Sequence, residues 1–214
     1  MTVQTMNVHQ ALAELKTLDK RIGKAIEARS WVVTNKHSNT KIDGLSVGEW
    51  INDCRSDYES AMALIRRRDA IKRAVVNSNA VTKVMIAGVE YTVAEAIDKK
   101  NHGTEYLAAM ARRLTLDHAR AKMAADREND SRLEERADAY VRSLIGNTDM
   151  KGATDEVKRL RDEFIKAQTL DIIDPIGVMK EIKSLEEEVS NFLTNVDAAL
   201  SVSNATTEIT VEYE

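Results

Sequence analysis

Residues 179–200 read MKEIKSLEEEVSNFLTNVDAAL, and this stretch decides the fold class. Met179, Ile182, Leu185, Val189, Phe192, Val196 and Leu200 recur at steps of three and four, so a helix gathers them into one heptad-like stripe. A stripe of that length marks a helix packed lengthwise against others. Just upstream, Asp174-Pro175 supplies an N-cap and a proline at the first helical position. Just downstream, residues 206–213 (TTEITVEY) alternate Ile209, Val211 and Tyr213 with polar neighbours, the pattern of a half-buried strand.

The same grammar recurs toward the N-terminus. Asn7 and Gln10 form a capping box, and Val8, Leu12, Leu15, Ile22 and Ile26 give the helix that follows one apolar face. The pattern stops at Ser30, after which Trp31-Val32-Val33-Thr34 has the composition of a strand. The polar residues 35–44 form a loop or hairpin. Ser46 and Glu49 cap a second helix over about 46–77, with Ala61, Leu64, Ile71 and Val75 on one face. Residues 82–86 and 89–92 read as strands separated by a turn at Gly88, and Thr92 with Glu95 caps a third helix. Gly103 predicts a break within 101–104. The mixed charges of 126–136 predict a solvated stretch of helix, 146–152 a loop, and 154–169 a further helix.

One short segment occurs twice. Ser78-Asn79-Ala80-Val81-Thr82-Lys83-Val84 returns as Ser203-Asn204-Ala205-Thr206-Thr207-Glu208-Ile209, in both places between an amphipathic helix and a strand. Asn tolerates the left-handed conformation that closes helices. Asn79 and Asn204 are thus either good helix stops or a functional pair. Three helix-to-strand exits, at Ser30 and the two repeats, predict one sheet from 31–34, 82–92 and 206–213. The expected architecture is a mainly α, long amphipathic helical bundle with a small β-sheet at one end, one domain over 1–214.

Composition agrees with that expectation. Of 214 residues 31% are charged, and there are only one proline and eight glycines, which favours long helices over loops. Aromatic residues make up 4%, so the core must be aliphatic. The net charge of −4 argues against general nucleic-acid binding. A lone cysteine, Cys54, excludes an intrachain disulfide. No signal-peptide pattern and no membrane-length apolar run is present, which makes a reducing cytoplasm the expected compartment.

Residues 64–107 resemble the DIP1984-like (septicolysin-labelled) family of bacterial and phage proteins. The likeness rests on a helix, Ser78-Asn79-Ala80-x-Thr82, a short strand, Gly88, and Thr92-Val93-Ala94-Glu95-Ala96-Ile97 opening a new helix. It covers about a fifth of the chain. The chain departs from the family in being longer, in lacking its glutamate-rich first loop, in carrying two more helices after Thr154, and in placing Arg-Arg-Asp-Ala-Ile before the strand. The resemblance implies the fold and a phage or bacterial origin, and no activity.

Catalytic patterns are scarce. His9, His37, His102 and His118 never stand at ligand spacing, and neither a phosphate-cradling glycine loop nor a nucleophile elbow occurs. No metal or cofactor is expected. The chemistry-bearing run is Arg66-Arg67-Arg68-Asp69-Ala70-Ile71-Lys72-Arg73. Arg68 falls on the Ala61–Leu64–Ile71–Val75 stripe, where a charge needs a partner. It belongs either to a structural salt bridge or to an anion pocket. In the pocket, Arg68, Lys72 and Arg73 face phosphates and Trp31 or Tyr91 stacks on a base. These residues, with Asn79 and Asn204, are the candidate ligand-binding set. The expected function is a non-enzymatic, homo-oligomeric binding or assembly protein whose partner is a second copy of itself. The alternatives are a phage sponge for an anionic nucleotide messenger and a virion structural protein.

Overall fold

A computed structural model describes residues 2–146 and 155–213. The expected loop at 146–152 and the helix start at Thr154 lie, apart from Gly146, outside them. The protein is mainly α with small two-stranded ladders. It divides into two compact units, residues 1–102 with 191–214, and residues 103–190.

The first unit begins with β1 (Thr2–Asn7), which passes straight into α1 (Val8–Glu27). Asn7 and Gln10 close the expected capping box, at 2.8 and 3.1 Å. A hairpin of β2 (Lys41–Ile42) and β3 (Leu45–Ser46) turns at Asp43 and Gly44, both with positive φ, and Ser46 caps α2 (Val47–Val81). Next come β4 (Lys83–Ile86), β5 (Val89–Thr92) and α3 (Val93–Asp98), which Thr92 caps through Glu95. A π-helical turn, Lys99–Gly103, occupies the site of the break expected at Gly103. After α7 (Val178–Thr206), β6 (Glu208–Tyr213) returns to pair antiparallel with β1, from Thr2↔Tyr213 to Asn7↔Glu208.

That pairing overturns the single sheet. The ladders are β1–β6, β2–β3 and β4–β5, and residues 31–34 form no strand. The hydrogen-bonding edge of β6 is taken by β1, an N-terminal strand outside the three predicted segments. Val32 is 88% exposed, so β-branched composition without a partner edge did not make a strand. Both repeat copies also differ from expectation. Helix α2 runs to Val81 and α7 to Thr206, so Asn79 and Asn204 are helical and neither is a left-handed stop. The copies are nevertheless equivalent in structure. The Thr82 N–H donates to the Ser78 carbonyl at 2.8 Å, the Thr207 N–H to that of Ser203 at 2.9 Å, and a strand follows each.

Two clusters hold this unit together. The larger joins Met6, Val8, Ala11, Leu15 and Leu18 to Ile71 and Val75 of α2 and to Ile209 and Val211 of β6. It bears out the inward sides of α2 and β6, while the α1 stripe is rotated: Ala11 and Leu18 are buried, and Ile26 is 50% exposed. The smaller cluster places Val84, Ile86, Val93 and Ala96 on Phe192 and Val196 of the α7 stripe.

The second unit contains α4 (Thr104–Glu128), α5 (Ser131–Ile145), α6 (Asp155–Gln168) and the start of α7. The solvated stretch at 126–136 holds a helix break at Asn129, whose amide makes two hydrogen bonds to the Leu170 backbone, at 2.9 and 2.8 Å. Helices α5 and α6 meet through stacked Tyr140 and Phe164, 4.7 Å apart, and through Arg161 on Asp138 at 2.9 Å. Pro175 does not open α7. Gly177, at φ +69, turns the chain first, and the helix starts at Val178, whose N–H donates to the Asp174 carboxylate at 2.8 Å.

Candidate functional site

The two repeat copies line one groove. Thr82, Lys83 and Val84 follow α2 on one wall, and Ser203, Thr206 and Thr207 close α7 on the other. Met85, Asn195, Ala198 and Val202 complete a space of about 510 Å³. It opens because small residues stand on α7 where the neighbouring stripe carries Phe192 and Val196. Lys83 is its one ionisable lining residue and is bonded to Glu90 at 2.6 Å, which raises its pKa. The remaining donors and acceptors are hydroxyls, the Asn195 amide and backbone. Such a groove suits a neutral polar or apolar segment. Neither Asn79 nor Asn204 lines it.

The arginine run is arranged differently from expectation. Arg68 lies at the surface, bonded to Asp19 at 2.8 Å and to Asp69 at 3.2 Å, with its pKa raised by the Asp19 bond first. Arg67 is the inward one. Its guanidinium donates to Glu14 at 2.5 Å, to Gln4 at 2.9 Å and to the Tyr213 hydroxyl, and lies 4.8 Å over the Tyr213 ring. One side chain thereby ties β1, α1, α2 and β6 together, and the Glu14 bond is the main cause of its raised pKa. The signal was available, since Arg67 precedes Ile71 and Val75 at steps of four. Lys72 and Arg73 are exposed.

The aromatic candidates stand elsewhere. The Trp31 indole donates to the Ile26 carbonyl at 3.0 Å and meets Tyr58 edge-on at 6.2 Å, beside a small apolar pocket formed with Ala61, Met62 and Ile65. Nearby Arg29 is bonded to Asp57 at 2.6 Å and lies over the Trp50 ring at 5.0 Å. Cys54 is half-buried with its sulfur 3.7 Å from the Trp31 carbonyl. Tyr91 is edge-on to Phe192 at 5.6 Å and accepts a hydrogen bond from Lys99 at 3.0 Å. Along α2, Tyr58 and Arg68 are ten residues apart, about 15 Å of helix, and Arg68 is roughly 20 Å from the helix end that leads to Tyr91. The candidate set therefore occupies separate places on the first unit and does not converge on one ligand.

Among the described residues no group of three or more His, Cys, Asp or Glu side chains is arranged to hold a metal ion. Among the described residues no helix is long and apolar enough to cross a membrane. Comparison with known proteins finds no matching family model, no similar curated protein and no similar solved structure.

Proposed function

We propose that the chain is a non-enzymatic, homo-oligomeric binding or assembly protein. The observation that carries this reading is its surface. The isolated chain, of 23.9 kDa, exposes 15219 Å². A compact monomer of that mass exposes roughly 10000 Å², and two free-standing domains of ~14 and ~10 kDa together roughly 12000 Å². The excess of about 3000 Å² over even the divided case is in the range that obligate subunits cover with one another. Large apolar side chains lie on that surface: Tyr106, Met123, Ile173 and Val202 are each 64% exposed or more. The groove of hydroxyls and small side chains supports binding over catalysis. An origin in a phage or a bacterium rests on the likeness of residues 64–107 and belongs to the same reading. Light scattering coupled to size exclusion at micromolar concentration tests it. A mass at a multiple of 23.9 kDa is expected, and a strictly monomeric particle rules the reading out.

A further inference from the structure

We propose that the outer face of α4 docks on the same face of a second copy, the two helices running antiparallel about Leu116; this rests on the homo-oligomeric reading above. Helix α4 has two distinct faces. The inner one is built from Thr104, Ala111 and Ala125, all buried. The outer one presents Glu105, Ala109, Arg112, Leu116, Ala119, Met123 and Arg127 at alternating steps of four and three, closing on a second step of four, a heptad seam. Leu116 is 54% and Met123 70% exposed.

The order of residues along that seam selects the occupant and its direction. With Leu116 on a two-fold axis, Ala109 falls opposite the partner's Met123, small against large. Glu105 falls opposite the partner's Arg127, acid against base. A parallel pair would set Glu105, Arg112 and Arg127 each on its own copy, three like-charge contacts with no opposite-charge one, whereas the antiparallel pair sets two acid–base contacts against two between Arg112 and the partner's Arg120. The antiparallel pair also opposes the helix dipoles. Arg113 and Arg120, near the axis, are each held by Asp117 of their own helix, at 2.8 and 3.9 Å, which spreads their charge. Arg112 shares a groove with Glu186. A self-complementary seam is what an isologous dimer requires.

Cross-linking and charge exchange on the full chain test this. In a Cys54→Ala background, Leu116→Cys should oxidise to a covalent dimer, because two-fold-related cysteines on the axis come within disulfide reach. Val202→Cys in the same background should stay uncross-linked. Glu105→Arg or Arg127→Glu alone should weaken self-association at least tenfold, with helical content unchanged by circular dichroism. The two together in one chain should restore it, since each then faces its new opposite. An oligomeric wild type in which Leu116→Cys does not cross-link and both single charge variants keep the wild-type mass overturns the α4 pairing and leaves the oligomer standing. A monomeric wild type overturns both.

Discussion

The first unit and the second are written in the same amphipathic helical language and use it to opposite ends. In the first, large side chains from four distant segments converge: Met6 and Leu18, Ile71, and Ile209 with Val211. In the second, α4 fully buries only Thr104, Ala111 and Ala125, with Leu107 and Leu114 half-buried beside them, and Leu133, Val141, Val178 and Ile182 supply the larger buried groups. Meanwhile Tyr106, Met110, Leu116, Met123, Ile173 and Ile176 stay outside. A helix stripe shows which residues seek cover; what covers them is decided by pairings far along the chain.

The strongest way to break the contrast is to remove the ladder that closes the first core. Deleting residues 208–213 strips Ile209 and Val211 from the cluster and leaves β1 with a bare edge. The burial of those two side chains alone is worth about 3–6 kcal/mol, so urea or thermal melts should show the first unit largely unfolded. Deleting residues 2–6 should do nearly the same, because β1 is the partner. A deletion of 2–6 that leaves Tm unchanged means β6 has a different partner.

Next in size is a matched pair of truncations. Ile71→Ala, at a fully buried site, should cost about 2–5 kcal/mol and by the same amount at every protein concentration. Leu116→Ala should have an effect that grows with concentration, because a subunit contact is linked to mass action. Equal, concentration-independent effects would erase the distinction between the units.

The arginine run offers a finer comparison. Arg67→Met removes bonds to Glu14, Gln4 and Tyr213 and leaves a half-buried carboxylate without its cation, a loss of about 2 kcal/mol in chemical denaturation. Arg68→Met, at the surface, should leave the midpoint where it is. The reverse order would restore Arg68 as the inward residue.

The smallest effect concerns the capping boxes. Thr92→Ala should cost about 1 kcal/mol. Hydrogen bonds from Thr92, its backbone N–H first, hold Glu95 below its usual pKa, and the Ser46 side chain does the same most strongly for Glu49. A carboxylate whose folded pKa is depressed contributes stability above its unfolded pKa and loses it as pH falls through the folded value. Both contributions should therefore be flat through neutrality and disappear below the ordinary carboxylate range. The acid limb of a Tm-against-pH curve should shrink in Glu95→Gln, and an unchanged limb would remove Glu95 as its source.

Much of this was legible locally. The three capping boxes, the α7 stripe, the break near Gly103 and the alternation of Ile209 and Val211 are each written within two dozen residues, so local pattern finds them. Strand β1 was not legible, because only Met6 of its six residues is buried and its partner lies some two hundred residues away. Residues 31–34 misled for the converse reason: their composition suits a strand and no edge receives them. One position turns a helix by about 100°, so a stripe through Leu64 puts Arg68 inward while one traced back from Val75 puts Arg67 there. The candidate ligand set was assembled from residue type, and type says nothing about the helix length that separates Trp31, Arg68 and Tyr91.

The antiparallel register Thr2↔Tyr213 sets a timetable for synthesis. At roughly 5–20 residues per second, some 10–40 s separate the emergence of β1 from that of the strand that completes its ladder. Throughout that interval α1 and α2 can meet, while the end of the core reserved for Ile209 and Val211 stays open. The whole second unit, local in sequence, is translated before the first one can close. The nascent chain thus carries the apolar face of the first unit uncovered after the second unit has been made, so the first unit is the part whose core stays exposed longest during synthesis.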